Sequence, residues 1–210
     1  MIMKIYDCSR SIKEGMTVYP GDRRPNILWV RLPGEKSPVS QTEIEMGMHT
    51  GTHIDTPLHF IPGGANLDGV DLDRFIGPCR LIEVDRIKDT ITKEDIEPYA
   101  PKAGEILLFK TANSEMPEDA PFTRDYVTFD RSASQYLAEC GVKTVGIDYL
   151  SVDSQKNFGN HNILLGAGIC LIEGLYFRDV PQGNYFLSAL PLKFSGAEAS
   201  PVRAVLIDFE

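Results

Sequence analysis

The 210-residue sequence has the size and composition of one folded domain, with 42% hydrophobic and 24% charged residues. Its formal net charge of -9, without a run of Lys or Arg, argues against binding to the polyanionic backbone of a nucleic acid. No window predicts a membrane-spanning helix, and the N-terminus lacks the apolar core of a signal peptide. We therefore expect a single domain over residues 1–210, in a cytoplasmic protein whose partner is a small molecule.

Strands dominate the predicted elements. Turns rich in Pro, Gly and Asp separate nine strand-like runs, which cover 4–9, 26–32, 41–48, 79–84, 105–111, 144–149, 168–175, 185–194 and 201–209. A helix is predicted over 130–141, and shorter ones at "TKEDIEPYA", with Thr92 as its N-cap, and at "HNILLGAG". The polar segment 111–128 is predicted as a surface loop. This order predicts an α/β layered domain with a mixed sheet.

Single residues outside these elements carry weaker signals. Cys8, Cys79, Cys140 and Cys170 are far apart and form no CxxC pair, so we expect reduced thiols in the core. Asp148 and Asp153 are interpreted as turn or cap residues. Arg203 is expected to pair structurally with a carboxylate.

Three of the four histidines lie within twelve residues, in "HTGTHIDTPLHF" at 49–60. In a straight strand, which rises about 3.3 Å per residue, His49 and His53 would be about 13 Å apart, too far to bind one ion. A helix would have to include a glycine, a proline and three threonines, and would turn Asp55 away from His53. We therefore predict an extended chain that bends at Gly51, since glycine tolerates the backbone angles of a bend.

In such a bent chain His53 and Asp55 share one face, with about 7 Å between their Cα atoms, and can converge on one ion. Together with His49 they would form a three-ligand site for Zn²⁺, Mn²⁺ or Fe²⁺ that leaves positions open for water and substrate. The alternative is that these histidines are ordinary hydrogen-bonded residues. Their clustering beside an aspartate favours the metal site.

The fourth histidine suggests a second half of the site. His161 begins the predicted helix 161–167, and Glu173 ends the predicted strand 169–173, so the turn between them can bring the two side chains together. A carboxylate that directly follows four apolar residues is expected to be buried, and a buried charge requires a cation. Asp55 could then bridge two ions. The alternative makes Glu173 a solvent-facing residue and His161 a helix cap.

These residues resemble those of the cyclase-family metal hydrolases, which include bacterial kynurenine formamidase (arylformamidase) and isatin hydrolase. The resemblance depends first on the long HxGTHxDxPxHF pattern at 49–60. It extends over nearly the whole chain, through "VYPGD" at 18–22, "GIDYLSVD" at 146–153, "HNILLGAGICLIEGL" at 161–175 and "GAEASPVRAVLID" at 196–208.

The resemblance implies a swivelling β/β/α fold, a homodimer or homotetramer, and metal-dependent hydrolysis of an amide C–N bond in a small aromatic substrate. It implies one or two Zn²⁺ ions per subunit, with Mn²⁺ as the main alternative. By matching positions, the first ion would be bound by His49, His53 and Asp55, and the second by Asp55, His161 and Glu173, with His59 as the catalytic acid and base.

Two positions bear on the reaction. An imidazole titrates near neutral pH, so His59 could both accept and return a proton, although it could instead be a ligand or support one. The kynurenine formamidases of the family usually carry Trp at the position of Tyr19. A tyrosine can still stack on an aromatic ring, and we expect Tyr19 to contact the substrate.

Other functions are compatible with the same residues. They include opening of a cyclic amide such as isatin, and hydrolysis of a lactone. A metal-dependent protein that binds a small molecule without turnover is an alternative of another class. A structural zinc would require a closed four-ligand shell, usually with cysteine, and no cysteine lies near the motif.

Overall fold

The computed structural model describes residues 3–34, 37–84 and 89–209, and these contain thirteen strands. In chain order the strands are β1 (Met3–Asp7), β2 (Asn26–Arg31), β3 (Gln41–Glu45), β4 (His53–Asp55), β5 (Ile76–Glu83), β6 (Thr90–Ile91), β7 (Ile106–Lys110), β8 (Thr128–Phe129), β9 (Thr144–Ile147), β10 (Cys170–Glu173), β11 (Gly183–Ser188), β12 (Ala199–Pro201) and β13 (Val205–Phe209).

Nine of these strands form one sheet in the order β1-β13-β11-β5-β7-β9-β10-β4-β12. The central strands β5, β7, β9 and β10 run parallel to one another, and the strands on both sides pair antiparallel. The strands β2 and β3 form a separate hairpin, and β6 pairs with β8. The mixed-sheet α/β fold predicted from the sequence is thus confirmed.

Both faces of the central sheet are buried. Along β7, Ile106 and Leu108 pack into one apolar cluster while Leu107 and Phe109 pack into another on the opposite face. This alternation follows from the two-residue period of a strand, and it explains why the central strands are apolar throughout. The helices cover one of these faces, where Leu137 joins the second cluster.

The predicted helices are present. They are α1 (Lys93–Ile96), α2 (Arg131–Cys140) and α3 (Asn160–Gly166). Thr92 forms a capping box at the start of α1, and Asp130 caps α2 by accepting a hydrogen bond from the amide of Ala133 at 2.9 Å. The helix α2 ends at Gly141, which adopts a left-handed conformation with φ 70°. In the part of the chain that the structure describes, no helix has the length and apolar character needed to cross a membrane.

Several strand predictions were wrong in their extent; the run 41–48, for example, is a strand only as far as Glu45. The run 185–194 ends its pairing at Ser188, because the chain beyond it leaves the sheet before Pro191, whose nitrogen has no hydrogen to donate. The run 201–209 is split between the end of β12 and all of β13. The strand β12 was missed, since three residues that include a proline carry no period-two signal.

The prediction of a surface loop over 111–128 was wrong at its beginning. Thr111 and Ser114 are buried, because their amides and hydroxyls donate four hydrogen bonds of 2.7–3.1 Å to the carboxylate of Asp148. Asp148 is fully buried, and burial raises the pKa of its carboxyl group. It therefore anchors this segment to the end of β9 and is more than a turn residue.

The predicted bend at Gly51 is confirmed. Gly51 has φ 69°, which brings the rings of His49 and His53 to 5.0 Å between centroids. Its carbonyl group lies against Gly174, which also has φ 69° and directly follows β10. The hydroxyl of Thr52 donates to the carbonyl oxygen of Gly174 at 2.7 Å and fixes this close backbone approach.

We predict that Gly174→Ala will destabilise the protein more than Gly104→Ala, as measured by the free energy of unfolding in denaturant. Both glycines have positive φ, so either substitution should cost about 1–2 kcal/mol of backbone strain. A Cβ at Gly104 meets open space, whereas one at Gly174 collides with the backbone of Gly51. Equal losses in the two variants would contradict a tight approach at the bend.

Candidate metal and active site

Sheet pairing assembles the centre of the site. The strand β4 lies between β10 and β12, and its register places His53 opposite Glu173. Directly opposed residues of an antiparallel pair project to the same face, about 5 Å apart. Asp55, two residues after His53, shares that face. His53 and Asp55 thus meet the carboxylate of Glu173, which lies 118 residues after Asp55 in the sequence.

Asp55 lies among three histidines and is fully buried. Its Oδ1 is 2.9 Å from Nδ1 of His49 and 3.6 Å from Nε2 of His53, and its Oδ2 is 3.7 Å from Nε2 of His161. The carboxylate of Glu173 closes the cluster, at 3.5 Å from Nε2 of His53 and 3.2 Å from Nε2 of His161. The structure therefore brings together all five residues that the sequence proposed as metal ligands.

Hydrogen bonds orient two of these imidazoles. Nδ1 of His53 donates to the carbonyl oxygen of Gly51 at 3.0 Å, because a carbonyl can only accept. Nδ1 of His161 lies 2.8 Å from the carboxylate of Asp153 and donates to it. When either ring is neutral, its lone pair is therefore on Nε2, which points toward Asp55 and Glu173.

His49 and His59 lie at the rim of the cluster. The two rings are 4.1 Å apart between centroids, and the ring of His59 is 5.5 Å from that of His161. His59 reaches this place because Pro57 begins a 3₁₀ turn, Pro57–His59, directly after the buried strand β4. Nε2 of His49 faces Glu198 at 3.3 Å, so both nitrogens of this ring lie near carboxylates.

The sequence reasoning missed three residues that support the cluster. Asp153, interpreted only as a turn or cap residue, accepts from the amide of Asn160 at the start of α3 and also orients His161. Glu198 contacts His49, and Phe60 stacks on the ring of His161 at 4.3 Å. Each of the three lies in one of the motifs "HTGTHIDTPLHF", "GIDYLSVD" and "GAEASPVRAVLID". Membership of these motifs was the sequence signal that could have identified them.

Burial and mutual attraction act in opposite directions on the ionisation of the cluster. Burial lowers the pKa of His49, but the negative charge of Asp55, 2.9 Å from its Nδ1, outweighs it and raises that pKa to about 9. Burial would raise the pKa of Asp55, yet the charge of His53 and the neighbouring histidines hold it well below its usual range. At His59 burial dominates and lowers the pKa of the ring. His59 is therefore the histidine most readily neutral.

Several buried atoms of the cluster lack hydrogen-bond partners among the described residues. They are both carboxylate oxygens of Asp55, Nε2 of His53 and Nε2 of His161. Buried polar atoms are normally satisfied, and four that face one another fit a site for a bound cation. Two groups of ligand atoms each lie within 4.8 Å, one of His49, Asp55 and His59 and one of His53, Asp55 and Glu173. Nitrogen and carboxylate ligands fit a divalent transition metal.

The cluster opens into a cavity of about 230 Å³. Tyr19 and Phe60 contribute aromatic rings to its wall, and Asp22 and Phe158 lie among the other residues that line it. The structure thus places Tyr19 in the same cavity as His59. A mixed α/β sheet that presents a histidine and carboxylate cluster to an open cavity is the arrangement expected of a metal-dependent enzyme.

Comparisons with known proteins place this enzyme in a family. The model of the family described as "Putative cyclase" matches residues 6–154. A kynurenine formamidase of Salinibacter ruber is 37% identical over 98% of this chain and 98% of its own length. One of Paracidovorax citrulli is 36% identical over 96% of this chain and 95% of its own. The chain belongs to the cyclase family.

Solved structures agree with this assignment. A predicted metal-dependent hydrolase from Bacillus stearothermophilus is 39% identical, and the two chains cover each other fully with a TM-score of 0.87. Isatin hydrolase A from Labrenzia aggregata is 22% identical, with a TM-score of 0.83 over 99% of this chain and 94% of its own. At that identity the likeness concerns the fold alone, and it supports the fold that the family resemblance implied.

Proposed function

We propose that this cyclase-family protein hydrolyses the formamide C–N bond of N-formylkynurenine or a closely related aryl formamide. The protein is a metal-dependent amidohydrolase. The observation that carries the proposal is the set of four unpartnered buried atoms of His53, Asp55 and His161 beneath a cavity that also contains His59. Five relatives named kynurenine formamidase, at 32–37% identity, support the choice of substrate.

We propose that Asp55 bridges two metal ions. Its two oxygens face different partners, Oδ1 toward His49 and His53 and Oδ2 toward His161, which supports a bridging role. Glu173 also approaches two histidines, so its carboxylate is available to either ion. The first ion would be bound by His49, His53 and Asp55, and the second by Asp55, His161 and Glu173.

A divalent metal bound here supplies Lewis acidity, which polarises the scissile carbonyl and makes water a stronger acid near neutral pH. The residues of the chain then move the protons. Because burial lowers the pKa of His59, a ring nitrogen of this histidine is free at neutral pH to accept a proton from the attacking water. His59 would then return that proton to the amide nitrogen as the C–N bond breaks. The products are the aryl amine and formate.

Aromatic residues are placed to hold the ring of the substrate. Tyr19 and Phe60 line the cavity, and the ring of Tyr19 is supported edge-on by Phe122 at 5.6 Å between centroids. Phe60 stacks on His161 with an interplanar angle of 9°, which holds this imidazole in place. We propose that Tyr19 stacks on the aromatic ring of the substrate in the role that Trp has in other family members.

The finer properties are also proposals. We expect Zn²⁺, with Mn²⁺ as the alternative, because both accept imidazole and carboxylate ligands.

We propose a homodimer or homotetramer, which is supported by the exposed apolar side chains Leu28, Trp29 and Leu32 on and beside the hairpin strand β2. Four free cysteines fit a reducing cytoplasm.

We predict that protein purified without chelator contains transition metal and hydrolyses N-formylkynurenine. Isatin, a simple lactone and formanilide complete the substrate panel. Removal of the metal with a chelator should abolish turnover, and added Zn²⁺ or Mn²⁺ should restore it. If isatin is the one compound that is hydrolysed, the proposed formamidase activity is wrong and the protein is a cyclic-amide hydrolase. Tight binding of these compounds without any product would instead identify a non-catalytic binding protein.

We predict that His59→Ala lowers kcat by at least about 100-fold while leaving the metal content unchanged, since general acid and base catalysis contributes on this scale. Turnover and elemental analysis of the same preparation check both parts. Leu58→Ala in the same 3₁₀ turn is the matched control and should retain activity. Loss of metal from His59→Ala would make His59 a ligand.

We predict that Asp55→Ala loses metal from both sites. A bridging carboxylate serves two ions, so its removal should lower the metal content of each subunit further than the loss of one ligand at one ion. Asp22→Ala, which removes an exposed carboxylate of the same cavity, should keep the full content. Retention of full stoichiometry by a folded Asp55→Ala protein, checked by circular dichroism, would refute the bridging role.

A further inference from the structure

A second cavity adjoins the first. Its volume is about 210 Å³, and it is lined by Tyr19, Pro20, Phe122, Arg124, Tyr126 and Gln155. Tyr19 lines both cavities, and the chain segment 151–158 contributes Ser151 and Asp153 to the first and Gln155 to the second. The two cavities are therefore neighbours that share one aromatic wall. Nothing in the proposed metal chemistry uses the second one.

The two cavities differ in charge. Asp22, Asp153 and Glu173 line the first cavity. Among the described residues that line the second there is no carboxylate, and Arg124 is the one cation. Arg124 therefore offers an anionic group of a ligand a binding site apart from the acidic residues of the first cavity. This separation matters in a chain with 30 acidic and 21 basic residues, which repels anions as a whole.

Arg124 is available for a ligand. Among the residues that the structure describes, no carboxylate lies within ion-pair distance of its guanidinium group. The neighbouring Asp125 lies 3.5 Å from the ammonium group of Lys156. A guanidinium presents a planar fork of donors that matches the two oxygens of a carboxylate.

The wall between the cavities is preorganised. Phe122 meets Tyr19 edge-on, and the rings of Tyr126 and Tyr149 stack at 4.3 Å between centroids behind it. This aromatic group supports the ring of Tyr19 from one side. A ring stacked on Tyr19 in the first cavity would direct a substituent past it toward Arg124.

We propose that the second cavity is the subsite for a carboxylate of the substrate and that Arg124 binds this group. The inference rests on the proposed function and narrows its substrate class to aryl formamides with an acidic side chain. N-formylkynurenine has this chemistry, because a four-carbon chain next to its formamide ends in a carboxylate, with an ammonium group on the adjacent carbon. Tyr19 would then separate the ring from the charged end.

The test compares N-formylkynurenine with 2-formamidoacetophenone, which keeps the ring, ketone and formamide and lacks the amino-acid end. In Arg124→Gln the ratio of the two kcat/KM values should fall about tenfold through a higher KM for N-formylkynurenine, as expected for a lost charged hydrogen bond. Arg131→Gln, which removes the same charge from the exposed start of α2, should keep the wild-type ratio within about twofold. An unchanged ratio in Arg124→Gln would overturn the inference.

Binding of the amine products separates this inference from the proposed function. Calorimetry with the metal-loaded protein should show that Arg124→Gln weakens binding of kynurenine about tenfold relative to 2-aminoacetophenone. The wild type could hydrolyse neither formamide while Arg124→Gln still weakens kynurenine binding in this way. In that case the carboxylate subsite stands and the formamidase proposal fails. If both formamides are hydrolysed and neither ratio changes, the formamidase stands and the subsite fails.

Discussion

The structure of the site depends on the burial of one carboxylate. Asp55 is inaccessible to solvent, and neither of its oxygens accepts a hydrogen bond from the described residues. An ionised carboxylate in this position carries a large desolvation penalty unless cations compensate it. Three histidines around Asp55 hold its pKa low, but His53 and His161 can serve as metal ligands only when they are neutral. A metal cation resolves this conflict, because it compensates Asp55 and leaves both rings uncharged.

Backbone geometry makes this burial possible. The strand β4 contains only three residues, and it is held between β10 and β12 near one end of the main sheet. Two glycines with positive φ, Gly51 and Gly174, allow the chain to turn sharply beside it. The hydroxyl of Thr52 also accepts from the amide of Arg10 at 2.9 Å, so the N-terminal segment helps to hold the turn. The ligands thus lie on a rigid scaffold, as a metal site requires.

The sequence predicted the features that depend on nearby residues. The helix α2 follows from an apolar pattern with a cap at each end, and the bend at Gly51 follows from the span between His49 and His53. Proximity of His161 and Glu173 was also predictable, because a helix followed by a strand returns the chain on itself. The role of each residue remains a proposal, since positions alone do not distinguish a ligand from a proton carrier.

The sequence could not predict contacts between distant segments. Asp148 looked like a turn residue because its partners, Thr111 and Ser114, lie more than 30 residues away. Glu198 reaches His49 only because β12 pairs with β4 at the sheet edge. In both cases the missing information is the order of the strands. A polar residue in a loop gives no local sign of the carboxylate or imidazole that it meets across the sheet.

Charge balance links the metal cluster to the choice of substrate. With neutral histidines, the carboxylates of Asp55, Glu173 and Asp153 have a formal charge of −3, so one divalent ion leaves −1 and two leave +1. A single ion would therefore still repel the carboxylate of the proposed substrate, whereas two ions would attract this carboxylate toward the metals themselves. In the proposed binding mode, Arg124 beyond Tyr19 would offer that carboxylate a competing site and leave the metals to the formamide. In that mode, productive orientation of a substrate with a carboxylate would depend on charge on both sides of Tyr19.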